Sequence, residues 1–111
     1  MTKRSVSFNE KQRQNLRRAK EAAAYLNATL DEVSTIDDDE EAQALLLLAL
    51  RNVVEAHDGI GGLAEQTHLN RPSLYRMLSA RGNPRLDSLF TILAATGLEI
   101  SFRPRQRASG E

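Results

Sequence analysis

The chain has 111 residues, enough for one compact domain, and it contains no cysteine. The lack of cysteine excludes a disulfide scaffold, a thiol nucleophile and a zinc site with sulfur ligands. The net charge is zero, but residues 1–20 carry +6, residues 21–58 carry −9 and residues 59–110 carry +4. A neutral total therefore does not exclude a nucleic-acid partner, because local basic patches make that contact.

Neither a membrane segment nor a signal peptide is predicted. No apolar run approaches the ~20 residues that a membrane span needs, and the N-terminus has no apolar stretch of the signal-peptide kind. We therefore expect a cytoplasmic protein without a membrane partner.

The composition favours helices, with sixteen leucines and fourteen alanines against four valines and four isoleucines. The first predicted helix extends from Phe8 to about Val33, a stretch without proline or glycine. Apolar residues at steps of three and four form a heptad seam along it: Leu16, Ala19, Ala23, Leu26, Leu30 and Val33. This seam packs on the chain's own domain, contacts a partner or a second copy, or is disordered in the free chain; the sequence leaves these alternatives open.

A second helix is predicted from about Asp38 to Ala56, after a break at residues 34–37. Asp37 or Asp38 can cap it, and the acidic residues that follow suit the positive end of its dipole. Gly59 is expected to end it in a left-handed conformation. Leu45 and Leu48 lie outside its main apolar face, so we expect the helix to be covered on two sides. That main face is formed by Leu46, Ala49, Leu50 and Val53.

Two short helices, Leu63–Thr67 and Arg71–Ser79, are separated by only three residues, and this spacing predicts a helix-turn-helix motif. Ala64 supplies the small side chain that the helix crossing admits. Asn70 is expected to cap the second helix, with Pro72 in its first turn. The wedge between the helices is filled by Leu63, Leu69, Leu74 and Met77.

The start of the second helix of this motif enters the major groove of DNA. We therefore predict DNA contacts from its outward residues and, as phosphate contacts or merely solubilising charges, from the loop that follows. The predicted DNA-binding residues are Asn70, Arg71, Ser73, Tyr75, Arg76, Arg81 and Asn83, with Arg85 as a further loop residue.

A last helix is predicted over Arg85–Thr96 and is stopped by Gly97. Its apolar face consists of Leu86, Leu89, Phe90 and Leu93. The alternation of Leu98, Ile100 and Phe102 with polar residues then predicts a β-strand that Pro104 ends. Such a lone strand needs a partner, and the candidates are its own copy, the segment Val6–Phe8 or a strand of another protein. Residues 105–111 are predicted to be a flexible tail.

No enzyme is indicated. His57 and His68 lack metal-ligand spacing, and Ser73 has no catalytic motif around it. We expect no metal and no cofactor. The acidic run Asp37–Glu41 is interpreted either as a helix N-terminus with favourable charge or as a docking surface for a basic partner.

Several motifs together indicate a family. They are Ala22-Ala23-Ala24-Tyr25-Leu26, the aliphatic helix Leu45–Leu50, Gly61-Gly62-Leu63-Ala64, the run Leu69–Leu78, Gly82-Asn83-Pro84 and Leu98-Glu99-Ile100-Ser101-Phe102. With them, the chain resembles the XRE/Cro-type helix-turn-helix family and, more narrowly, HigA-like antidote proteins of toxin–antitoxin modules, over about residues 20–104. His68 departs from the family pattern, which has glycine in the turn. Because a non-glycine residue in a left-handed turn costs of order 1 kcal/mol, a slightly different turn is expected.

We therefore predict an all-α, lambda-repressor-like helix-turn-helix bundle with an N-terminal helical extension (1–36) and a DNA-binding domain (37–104). One short C-terminal β-strand and the tail (105–111) complete it. The resemblance implies an antitoxin of a type II toxin–antitoxin module that represses its own operator and neutralises a small ribonuclease toxin. A stand-alone repressor without a toxin and a helical protein-interaction module are the alternatives.

The predicted partners are operator DNA, a cognate toxin and a second copy of the chain. A homodimer fits two half-sites that lie ~34 Å apart on DNA. The toxin contact is predicted in the N-terminal half, where an apolar seam lies beside an acidic run. Its residues are Leu16, Ala23, Leu26, Leu30, Asp37, Asp38 and Asp39.

Overall fold

The computed structural model describes residues 3–105, with side chains from residue 10 onward. This part of the chain forms five α-helices: α1 (Lys3–Val33), α2 (Asp39–His57), α3 (Gly59–Thr67), α4 (Arg71–Met77) and α5 (Leu86–Ala95). α1 packs against α2, α2 against α3, and α3 against both α4 and α5. The core lies where α2 to α5 meet and contains Leu50, Val54, Ile60, Leu63, Leu74, Leu78 and Ile92. Between residues 3 and 105, no helix has both the length and the apolarity that crossing a membrane requires.

The break between α1 and α2 is confirmed. α1 ends at Val33, and three backbone hydrogen bonds close the turn that follows. They run from the N–H groups of Ser34, Thr35 and Ile36 to the carbonyls of Leu30, Glu32 and Val33, at 3.0, 3.1 and 3.0 Å. Asp38 is the residue that caps α2, because its Oδ1 accepts a hydrogen bond from the Glu40 N–H at 3.0 Å. The acidic residues expected at the start of α2 lie in its first turn.

The start of α3 differs from the prediction. Gly59 has a φ of +74°, as expected, but α3 begins at this residue rather than at Leu63. Gly61 and Gly62 therefore lie inside α3 and do not interrupt it. At Gly62 a Cβ atom would lie 2.6 Å from the Cβ of Asp58, so glycine permits the close approach of α3 to the end of α2.

The packed face of α1 follows the predicted seam from Ala19 onward, where Ala19, Ala23, Leu26 and Val33 are partly buried, but it does not include Leu16 or Leu30. Every residue from 10 to 18 is exposed, and Thr29 is the residue of the described side chains of α1 that is buried. The Thr29 hydroxyl donates a hydrogen bond to the Tyr25 carbonyl at 3.0 Å, which satisfies this polar group inside the interface with α2. Leu26 packs against the core, whereas Leu30 stays exposed. Within this chain, the C-terminal half of α1 is thus a self-packing helix.

The predicted C-terminal β-strand is wrong. Residues 98–105 have no regular secondary structure, and no strand occurs anywhere in the described range 3–105. Alternating side chains do not make a strand without a partner for the backbone N–H and C=O groups. The candidate partner Val6–Phe8 lies within α1, where its backbone is helical. The all-α class is confirmed, and the segment 98–105 that follows α5 is an arm without regular secondary structure, on which Phe102 is 96% exposed.

The end of α5 follows the prediction. Gly97 has a φ of +78°, and the backbone N–H of Leu98 donates to the Leu93 carbonyl at 2.8 Å. The Gly97 N–H donates to the Ala94 carbonyl at 3.1 Å, which completes the Schellman arrangement. The division into segments 1–36, 37–104 and 105–111 stays a prediction, and residues 106–111 lie outside the described range.

Candidate nucleic-acid interface

The turn between α3 and α4 has the left-handed geometry that glycine usually supplies. His68 has a φ of +64°, and its N–H donates to the Ala64 carbonyl at 2.9 Å. Thr67 supports the turn, because its hydroxyl donates to the Leu63 carbonyl at 2.7 Å and accepts from the Leu69 N–H at 3.3 Å. The left-handed turn is thus formed with histidine, in a conformation that costs about 1 kcal/mol, and a difference from the family's turn stays a prediction.

α4 is fixed in one orientation by its cap and its buried face. Asn70 caps the helix as predicted, with its Oδ1 accepting from the Ser73 N–H at 2.8 Å, and Pro72 lies in the first turn. Leu74 and Leu78 are fully buried. The other predicted wedge residues pack at the same place, with Leu63 in the core cluster and Leu69 and Met77 against it. Ala64, predicted at the helix crossing, also packs against this cluster. Because one face of α4 is held in the core, the opposite face is presented to solvent.

The outward residues of α4 lie on two flanks. On the first flank, Ser73 and Arg76 share an open cleft of about 490 Å³ with the loop that follows α4. An Nη2–Oγ distance of 3.3 Å joins these two side chains. The loop contributes Arg81, Asn83 and Arg85 to the lining of this cleft. The structure thus brings five of the predicted DNA-contacting residues to one surface.

On the second flank, Arg71 and Tyr75 face the helices behind α4. The Arg71 guanidinium lies over Gly61 of α3, where its Nη2 would be 3.0 Å from a Cβ atom. The ring of Tyr75 is half exposed and lies under the guanidinium of Arg51, 5.3 Å from the ring centroid. Arg51 belongs to α2, and sequence reasoning missed it because nothing in the acidic segment around it indicates an approach to α4.

The loop after α4 is held by two features. Gly82 is buried, and a Cβ atom there would overlap the Met77 carbonyl and lie 2.6 Å from the Arg76 carbonyl oxygen. Gln43, on the first turns of α2, donates from its Nε2 to the Gly82 carbonyl at 2.9 Å. This contact joins residues 39 positions apart and was not predicted, because a lone glutamine carries no signal of its partner. The side chains on both sides of Gly82, those of Arg81 and Asn83, therefore project from an anchored backbone.

The surface around α4 is basic. Two of its arginines form ion pairs. The Arg51 Nε lies 3.9 Å from Glu55 Oε2, and the Arg85 Nε lies 3.3 Å from Asp87 Oδ1. Among the described side chains, Arg71, Arg76 and Arg81 take part in no ion pair. Their guanidinium groups are the type of donor that binds phosphate oxygens or the edge of a guanine base in bidentate fashion.

The residues predicted to contact a toxin do not form one surface. Ala23, Leu26 and Leu30 line a groove that α1 forms with α2, α5 and the arm after α5. Leu16 is exposed on the preceding part of α1, roughly 21 Å from Leu30 along the helix axis. Asp37, Asp38 and Asp39 are exposed at the junction of α1 and α2.

The comparisons with known proteins give one match. The sequence profile of a family described as "probable addiction module antidote protein" matches residues 7–104. None of the curated proteins and none of the solved structures matches the chain. The matched range contains the helix-turn-helix, both flanks of α4 and nearly all of α1.

Proposed function

The chain belongs to the family of probable addiction module antidote proteins, and on this premise we propose that it is the antitoxin of a type II toxin–antitoxin module. It binds operator DNA through α4 as an autorepressor and neutralises a small ribonuclease toxin by direct contact. Such a protein acts in the cytoplasm, as a binding protein and not as an enzyme.

The observation that carries the DNA-binding part is the surface around α4. Two fully buried leucines and the Asn70 cap hold the helix. The guanidinium groups of Arg71, Arg76 and Arg81, which form no ion pair with any described side chain, project from the helix and its loop. A rigid helix that presents arginines suits base readout, while loop arginines suit phosphate contacts. A neutral interaction surface needs neither feature.

The Arg76→Ala variant tests this part on the DNA upstream of the gene. Specific binding is expected to weaken by ~1–3 kcal/mol, mostly at one base pair, because a bidentate base contact is lost. The control is Arg17→Ala, which removes an exposed arginine from α1. A mobility-shift series over operator variants measures the effect. Equal binding of Arg76→Ala and wild type to every variant would exclude α4 as the reading helix, and no binding by wild type would favour an interaction module.

A homodimer is the form in which we propose that operator DNA is bound. α5 leaves Leu86 and Phe90 63% and 50% exposed, one turn apart on the same face. Beside this face lies an open groove of about 420 Å³ lined mainly by leucines, together with the exposed apolar arm. A second copy seated on this surface across a two-fold axis would cover apolar area and supply a second α4.

Sedimentation at micromolar concentration tests the dimer. Wild type is expected at twice the 12.4 kDa chain mass, and Phe90→Glu at the single-chain mass. Exposed Leu16, changed to Glu, is the matched control that should remain dimeric. A 12.4 kDa species alone, with and without DNA, would contradict the dimer.

The reading frame next to this gene separates an antitoxin from a stand-alone repressor. An antitoxin is expected to restore growth of cells that express a toxic protein encoded there. A repressor without a toxin would bind the same upstream DNA and have no such neighbour.

A further inference from the structure

The outer faces of α1 and α2 form a cleft that is separate from both the α4 surface and the α5 face. We propose that the toxin docks there, an inference that rests on the antitoxin function proposed above. We name this surface the outer cleft and define it by its apolar residues: Tyr25, Val33, Ile36, Leu45 and Leu48. Of the predicted seam, Val33 lines the outer cleft, whereas Ala23, Leu26 and Leu30 line the groove on the α5 side.

Large apolar side chains remain exposed in the outer cleft. Leu45 and Leu48 are 40% and 42% exposed, and Tyr25 is 43% exposed. The cleft between them has a volume of about 500 Å³. α2 was expected to be covered on two sides, but α1 covers the second side only in part. Single exposed leucines are ordinary on a protein surface, whereas a cluster around a cleft marks a binding surface.

Hydrogen bonds hold the α1 side of the outer cleft in place. The Tyr25 hydroxyl accepts a hydrogen bond from Asn52 Nδ2 at 2.9 Å, so the phenol ring is tied to α2. On the same stretch of α1, the Thr29 hydroxyl is bonded to the Tyr25 carbonyl at 3.0 Å. A ring and two leucines on two helices that are already packed lose little freedom when a partner binds.

The charge around the outer cleft indicates a basic occupant. Glu32 lines the cleft, and no Lys, Arg or His is among its lining residues. Glu41 lies one turn before Leu45 on the same face of α2, and Asp37 is exposed at the junction of the two helices. These residues belong to the segment 21–58, which carries a net charge of −9.

This charge favours the toxin over the other occupants. DNA would be repelled. A second copy that docked through the same surface across a two-fold axis would bring carboxylates against carboxylates. A ribonuclease must hold RNA phosphates, so it presents a basic face, and a carboxylate-lined cleft with an apolar centre complements such a face.

The test uses Leu48→Glu and Leu45→Glu in the full chain, with Leu16→Glu as the matched control on an exposed leucine elsewhere. The probe is the purified growth-inhibiting protein encoded in the adjacent reading frame. The two cleft variants are expected to bind it about tenfold or more weakly and to rescue growth poorly, while operator binding and thermal unfolding match wild type. The control should bind the probe within about twofold of wild type. Glu32→Lys should lower the association rate and its salt dependence.

Each contrary result has a defined meaning. Wild-type affinity of Leu48→Glu and Leu45→Glu for the probe would overturn the outer cleft as the docking surface and leave the antitoxin function standing. If Leu48→Glu is monomeric under conditions in which wild type is a dimer, the outer cleft is the contact surface for a second copy and not for the toxin. Failure of wild type to bind the probe, or the lack of a growth-inhibiting neighbour, would overturn the antitoxin function itself. If Leu48→Glu unfolds, the milder Leu48→Ser decides by the same readouts.

Discussion

α4 and α5 are both short helices with an apolar face, yet the chain uses these faces differently. α4 and the residue that follows it, Leu78, bury both leucines of their face, Leu74 and Leu78, completely. By contrast, α5 buries Ile92 and leaves Leu86 and Phe90 at least half exposed. α4 lies in the wedge that α3 and the turn before it create, while α5 packs mainly against α3 and has free surface on its other side. An apolar stripe in the sequence therefore predicts that a helix face will be covered. It does not predict whether the same chain or a partner covers that face.

The largest expected contrast is between Leu74→Ala and Phe90→Ala. Leu74→Ala should lower the free energy of unfolding by ~2–5 kcal/mol, because it leaves a cavity at a fully buried position. Phe90→Ala should change it by less than about 1 kcal/mol when unfolding is followed at a concentration where the chain is monomeric. Denaturant titrations measure both values. Equal losses for the two variants would show that the α5 face is covered within one chain.

A smaller contrast concerns the helix starts. Asn70 caps α4 through its side chain, whereas Arg85 stands at the same position of α5 without a side-chain cap. Asn70→Ala is expected to lower the free energy of unfolding by about 1 kcal/mol (roughly 0.5–2), because the Ser73 N–H loses its acceptor. Arg85→Ala, read in the same urea titration, should have almost no effect on stability. A comparable loss at Arg85 would show that its ion pair with Asp87 stabilises α5.

Gln43→Leu tests whether α4 and its loop form one rigid unit. The loss of the hydrogen bond to the Gly82 carbonyl should cost ~0.5–1.5 kcal/mol of stability and weaken operator binding. The control is Gln14→Leu, at an exposed position on α1. If Gln43 acts by positioning the loop, its effect on binding should not add to that of Arg81→Ala in a double-mutant cycle. Full additivity would mean that Gln43 does not act through the loop.

The smallest expected effect is at the turn that leads into α4. His68→Gly should stabilise the chain by up to ~1 kcal/mol, because glycine relieves the left-handed strain but has more freedom to lose on folding. Gly97→Ala, at the left-handed end of α5, should act in the opposite direction. Thermal unfolding of the pair measures both signs. A loss of stability in His68→Gly would show that the imidazole makes a contribution larger than the backbone strain.

Several features near α4 were predictable because they depend on neighbouring residues. Asn70 and Pro72 begin the helix by local hydrogen bonding and by a fixed φ, and Leu74 follows at the helical period that places it inward. Arg76 and Ser73 then follow as outward residues. The two flanks of this surface were not predictable, because they depend on which helix stands behind each side chain, as Arg51 stands behind Tyr75.

The helical class, the break capped by Asp38 and the left-handed glycines at 59 and 97 could all be predicted from the sequence, because caps, turns and periodicity act within a few residues. Long-range packing was needed to bring Gln43 to Gly82, to bury Thr29 rather than Leu30 among the described side chains of α1, and to leave the arm after Gly97 without a strand partner in the described range. These outcomes depend on groups far apart in the chain. Whether a backbone edge or an apolar face finds a partner is set by what the fold brings beside it.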